Sequence, residues 1–102
     1  MSVRMLAEAE AEAQAAAQRY ESLQLGLGDE FLDAVADALT RIETQPYLFP
    51  RMETLTTTRE IRRVVLDRFP YIVIYEIRAD ETLVLAVAHS RQRPNYWQNR
   101  QP

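Results

Sequence analysis

Cysteine is absent from the 102 residues, and histidine occurs once, at His89. Disulfides, a thiol nucleophile and a His/Cys zinc centre are therefore excluded, no cofactor is expected, and a reducing cytoplasmic setting is the expectation. Lysine is missing too. All twelve basic residues are arginine, so neither a Schiff base nor a phosphate-loop lysine has a residue to carry it. Glycine is found only at Gly26 and Gly28, which form half of a G-x-G-x-x-G pattern. Phe31 stands where the third glycine would be and a helical pattern precedes the pair, so it reads as a turn and not a dinucleotide loop. The longest wholly apolar run, around Phe69 to Tyr75, falls far short of the roughly 20 residues that cross a bilayer, and the N-terminus turns acidic by Glu8. Neither a membrane span nor a signal peptide is expected.

What is present suits one globular domain over residues 1–102. Apolar residues make up 47% and charged residues 26%, enough to bury roughly two-thirds of the unfolded surface. The net charge of −3 hides an asymmetry: Met1 to Pro50 carries three arginines against nine acids, for −6, and Arg51 to Pro102 carries nine against six, for +3. A chain whose sole task is to grip nucleic acid is usually basic overall, because phosphate neutralisation supplies most of that affinity. Direct nucleic-acid binding is accordingly the less favoured partner class. The basic half reads either as a functional patch or as a solvated, arginine-bearing sheet.

Leu6 to Leu25 consists largely of alanine, glutamate, glutamine and leucine, strong helix formers whose composition overrides the period-two A-E-A-E-A-E-A opening. Leu6, Ala9, Ala13, Ala16, Tyr20 and Leu23 fall at spacings of three and four, a narrow stripe suited to close packing. Gly26 to Gly28 breaks this first helix, predicted over about 6–25, and Asp29 is the expected cap of a second over about 29–44. Phe31, Leu32, Val35, Ala36, Leu39 and Ile42 form its apolar stripe, and Pro46 ends it. So short a link makes the helices an antiparallel hairpin. Tyr47 to Thr58, with its Thr56 to Thr58 run, is expected to be a loop that is mobile or part of a site.

Beyond Arg59 the period becomes two. Strands are predicted over about 61–66, 69–77 and 83–89, separated by short polar turns and forming an antiparallel meander. Tyr71, Val73, Tyr75 and Ile77 line one face of the middle strand and Ile72 and Ile74 begin the other, which places that strand centrally. Ser2 to Met5 is an optional edge strand, and residues 94–102 form a C-terminal tail. The expected fold is α+β: an N-terminal helix hairpin packed on a three- to four-stranded antiparallel sheet.

Four local motifs follow one another along nearly the whole chain: Y-E-S-L-Q-L-G-L-G-D-E-F from Tyr20 to Phe31, the Ile61, Arg62, Arg63 strand opening, R-F-P-Y from Arg68 to Tyr71, and A-V-A-H-S-R-Q-R-P-N-Y-W from Ala86 to Trp97. Together they resemble the ParE branch of the RelE/ParE toxin superfamily. The resemblance implies the toxin of a type II toxin–antitoxin pair, silenced by a cognate antitoxin whose C-terminal segment wraps around it. ParE-like members resemble non-enzymatic poisons of DNA gyrase, whereas RelE-like members resemble ribosome-dependent mRNA endonucleases that use arginines, lysines and, in some branches, a histidine or tyrosine. This chain is more similar to the first group over its length. It departs from the family in having an abbreviated first strand, and it lacks the lysines of some nucleolytic members. Gyrase is the implied target, mRNA cleavage at the ribosome the alternative, and a decayed member that binds antitoxin without toxicity a third reading.

In-line cleavage by an RNA 2′-hydroxyl needs a base, an acid for the leaving oxygen, and cations on the phosphate. Arg62, Arg63, His89, Arg91 and Tyr96 supply those types if the meander brings them onto one surface, with Arg93 a further cation. The structural alternative makes His89 a hydrogen bonder at a strand end. His89 and Ser90 are strand neighbours that point to opposite faces, so no hydrolase triad follows. Glu8, Glu10 and Glu12 read as solubilising helix-surface acids, and Glu60 either as a base in the nuclease reading or, as favoured, as the weak surface ion-pair partner of Arg62. Arg91, Arg93, Tyr96, Trp97 and Arg100 alternate cations with rings, which suits stacked nucleic acid or a protein hot spot, the protein being favoured by the acidic overall charge. The bland alternative packs Trp97 over the sheet among solvated arginines. Tyr20, Leu23 and Leu27 read either as core or as part of an apolar groove for an antitoxin helix.

Overall fold

A computed structural model describes residues 2–52 and 59–102, so the Thr56 to Thr58 run lies outside the described residues. The element order is β1 (Val3–Met5), α1 (Ala7–Leu23), α2 (Leu27–Thr44), β2 (Glu60–Val65), β3 (Tyr71–Ile77) and β4 (Thr82–His89). These strands form one sheet in the order β1-β4-β3-β2. The meander β2-β3-β4 is antiparallel, while β1 joins β4 in parallel with Val3 opposite Thr82 and Met5 opposite Val84. The whole sheet is therefore mixed. Parallel neighbours require a long crossover, which the intervening helix hairpin and meander provide.

Alanine at Ala9, Ala13, Ala16 and Ala17 forms the buried side of α1. With only methyl groups at the contact, α2 comes close enough that a Cβ on Gly28 would lie 2.6 Å from the Ala17 carbonyl oxygen. Gly28 thus serves close approach, while Gly26 takes the left-handed backbone, φ 88°, that makes the turn. Asp29 does not cap α2, which starts two residues earlier than expected. The cap comes from the preceding helix: the Glu21 carboxylate accepts the Gly26 and Gly28 amides, each at 2.9 Å. On α2 the buried residues are Phe31, Val35, Ala38 and Ile42, with Ala38 in the place expected of Ala36, which is exposed. Two residues of the predicted α1 stripe also lie elsewhere. Leu6 precedes the helix and is buried on the opposite side of the sheet, and Leu23 is 77% exposed.

Two apolar layers enclose the sheet. On the helix side, Tyr71, Val73, Tyr75 and Ile77 pack with the buried residues of α1 and α2. Tyr20, Phe31, Phe69 and Tyr71 form an aromatic group there, with ring centroids 4.9–5.4 Å apart for the pairs Tyr20–Phe69, Phe31–Tyr71 and Tyr20–Phe31. On the other side Leu6, Ile61, Ile74, Leu83, Leu85, Ala86 and Ala88 are covered by Trp97 from the C-terminal tail. Every residue of β4 from Thr82 to Ala88 is buried. No described helix is long and apolar enough to cross a membrane.

Candidate functional site

Arg62 and Arg63 are adjacent on β2 and so point to opposite faces. Arg62 lies on the helix side and is fully engaged. Its guanidinium donates to Glu60 Oε1 at 2.9 Å and to the carbonyls of Tyr47 and Phe49 at 3.0 and 2.6 Å, and it sits 5.3 Å above the Tyr47 ring. Tyr75, its partner across β3, donates its hydroxyl to the Pro46 carbonyl at 2.6 Å. Burial pushes the Tyr75 phenol up to about 12. Arg62, Glu60 and Tyr75 together fasten the segment after α2 to the sheet.

Arg63 faces the tail side. There it borders a groove of about 230 Å³ with His89, Arg93, Asn95 and Tyr96 on its walls, and Met52, Ile72, Ile74, Ala88 and Trp97 as its apolar lining. His89 is held by its surroundings: its Nδ1 accepts the Arg91 amide at 3.0 Å, its own amide donates to Gln92 Oε1 at 3.1 Å, and its ring meets the Tyr71 ring edge-on at 5.1 Å. Only Nε2 is left for other contacts. Arg91 is exposed and lies outside the groove lining.

The short β1 pairs with β4 only as far as Val84, which leaves the rest of the β4 edge without a strand. Side chains close it. Glu12 from α1 accepts the Val87 amide at 3.0 Å, and Arg100 donates to the Leu85 carbonyl at 2.9 Å. The two also pair with each other through contacts of 2.9 and 3.0 Å, and the Tyr96 hydroxyl donates to the same carboxylate. Burial, then the Glu12 hydrogen bond, raises the Tyr96 pKa; the Glu12 hydrogen bond raises that of Arg100. Glu12 is thus a pivot of the fold and not a solubilising acid. Its spacing held the clue: Ala9, Glu12 and Ala16 follow the three-and-four rhythm of the buried stripe. A second pair holds the tail from the other side, where Arg59 contacts both oxygens of the buried Glu76 at 3.0 Å and donates to the Gln98 carbonyl at 2.7 Å.

The cleavage candidates are therefore divided. Arg63 and Tyr96 share the groove with Arg93, His89 borders it with its ring turned to Tyr71, Arg62 is on the other face and Arg91 projects to solvent. The Tyr96 hydroxyl is committed to Glu12, so the groove offers cations for an anion but no phenol poised for proton transfer. The contact candidates divide as well. Trp97 is 2% exposed and Arg100 is tied to Glu12. Tyr20 and Leu27 are half-buried against the helix-side core, while Leu23 and the neighbouring Leu25, 92% exposed, form an apolar tip on the hairpin. Sequence reasoning did not single out Leu25, which looked like one more residue of the first helix. No described group of three His, Asp or Glu side chains is arranged to hold a metal ion.

A family model described as the ParE toxin of the type II toxin-antitoxin system parDE matches residues 3–94. Among solved structures, the chain is similar to one titled "Chromosomal ParDE TA system from P. aeruginosa", at 19% sequence identity and a TM-score of 0.63, over 87% of this chain and 95% of that one. At that identity the likeness concerns the fold. No curated protein matches.

Proposed function

The chain belongs to the ParE toxin family of type II toxin–antitoxin systems, and from that premise we propose that it acts in the cytoplasm by stoichiometric binding to DNA gyrase and is silenced by a cognate antitoxin. The observation that carries this reading is the division of the cleavage candidates. A ribosome-dependent nuclease must bring base, acid and phosphate-binding cations to one scissile bond. Here Arg62 is spent on Glu60 and two carbonyls on the helix side, and Tyr96 is bound to Glu12. What is left, exposed arginines beside apolar surface, is the composition of a protein contact. The exposed Leu23 and Leu25 tip supports antitoxin docking on the hairpin.

One observation favours a second reading, mRNA cleavage at the ribosome: Arg63 and Arg93 meet at a groove that His89 borders, its ring packed on Tyr71. Two assays on the purified protein separate the readings. Inhibition of gyrase supercoiling with intact ribosome-bound mRNA is the expected result, and His89→Ala should retain that inhibition within about twofold. Codon cleavage with normal supercoiling overturns the proposal, as does a tenfold loss of cleavage in His89→Ala. Absence of both activities identifies a member that has lost toxicity.

A further inference from the structure

We infer that the groove between the sheet and the C-terminal tail receives an extended acidic peptide, with one large apolar side chain on its floor and carboxylates at Arg63 and Arg93. The inference rests on the reading that this toxin works, and is silenced, through protein contacts.

Charge comes first. Although the chain is acidic overall, none of the described residues lining this groove is acidic. Arg63, Arg91 and Arg93, like Arg19 and Arg41 elsewhere, have no carboxylate ion pair among the described residues, whereas Arg4, Arg51, Arg59, Arg62, Arg68, Arg78 and Arg100 each have one. Guanidinium groups that are unpaired beside an apolar surface offer charge-assisted, bidentate bonds to an incoming carboxylate.

The lining decides the class of anion. Ile72, Ile74, Ala88 and Met52 are aliphatic and suit an apolar side chain. A nucleic acid would need rings on which bases stack, but Trp97 is buried and Tyr96 is fixed by Glu12 and by Arg100, whose guanidinium lies 5.0 Å from its ring centroid.

The test uses a fluorescein-labelled peptide, Glu-Asp-Glu-Leu-Glu-Asp-Glu, with the full-length toxin in a low-salt anisotropy titration. Saturable binding is expected, at least tenfold weaker for Arg63→Glu/Arg93→Glu and within twofold of the parent for Arg41→Glu/Arg68→Glu, which makes the same charge change on the helix side. Replacing the peptide's leucine with glutamine should weaken binding at least fivefold. Should the Arg63/Arg93 variant not fold, amide shifts in the parent protein are the second measurement, and they should concentrate at Ile72, Ile74 and Ala88. Absence of binding, shifts centred on α2, or equal competition by an oligothymidylate of the same charge overturns the inference. Gyrase inhibition is measured without peptide. If it persists while the peptide fails to bind, only the inference falls; if it is missing, the proposed function falls whatever the peptide does.

Discussion

The two faces of the sheet are covered by different means. On the helix side, two long helices lay a continuous apolar layer over Val64, Tyr71, Val73 and Tyr75, and its members come from neighbouring turns of regular structure. On the tail side, one buried tryptophan and two arginine–carboxylate pairs hold a short irregular strap over β4. The first kind of cover depends on area and packing, the second on a few directional contacts. The charges are sorted in the same way. A groove of about 270 Å³ between α2 and the β2–β3 turn is lined by Glu30, Asp33, Asp37 and Asp67 with Arg41 and Arg68. Among the described residues, the charges lining the tail-side groove are arginines alone. The charge asymmetry between the two halves of the sequence thus becomes an asymmetry between two surfaces.

Substitutions can break that comparison in order of severity. Phe31→Ala, at a residue with 0% exposure in the helix-side aromatic group, should remove about 4 kcal/mol, seen as a lower urea midpoint for the whole molecule. Trp97→Ala should remove about 3 kcal/mol. Its effect differs in kind: amide exchange should accelerate first at Leu85 and Val87, whose edge the tail protects, with the helices following only on global unfolding. Uniform acceleration would mean that the two covers are one cooperative unit.

Smaller changes sharpen the contrast. Glu12→Gln leaves the partly buried Arg100 guanidinium without its counter-charge and should remove about 2 kcal/mol, again with exchange rising at the β4 edge. Alkali probes the helix-side loop anchor. Burial pushes the Tyr75 phenol up to about 12 in the folded chain, against about 10 for an exposed tyrosine. The unfolded chain therefore ionises first as pH rises. The stabilisation is complete below about pH 10 and declines as pH climbs toward the folded value, by roughly 1 kcal/mol at about pH 11. Tyr75→Phe should lack that component, and Tyr96→Phe should lack a second that persists to higher pH, since the Tyr96 phenol is raised further. Urea midpoints at about pH 9 and pH 11 measure both.

Periodicity made the α+β layout legible. The spacing of Phe31, Val35 and Ile42 marks α2, and alternation across Tyr71 to Ile77 marks β3. The unreadable parts were contacts between residues far apart in the chain. Glu21 supplants Asp29 as a cap because the hairpin folds its carboxylate over the next helix start. Glu12 looked like its exposed neighbours Glu8 and Glu10, and only the end of β1 at Met5 creates the bare edge that makes it structural. Arg62 and Arg63 look alike as a pair, yet strand alternation and the neighbouring segment give one a structural task and leave the other free.

The sequence by itself determined the helix hairpin, the meander and the separation of acidic from basic halves, because each is written in local spacing and composition. Tertiary structure decided which arginines are consumed and which are available, since that depends on carboxylates delivered by other elements: Glu12 from α1 to Arg100, Glu76 from β3 to Arg59, and none from any described residue to Arg63 or Arg93. Ion pairing is set by distance in space, to which a linear spacing of identical residue types carries no guide.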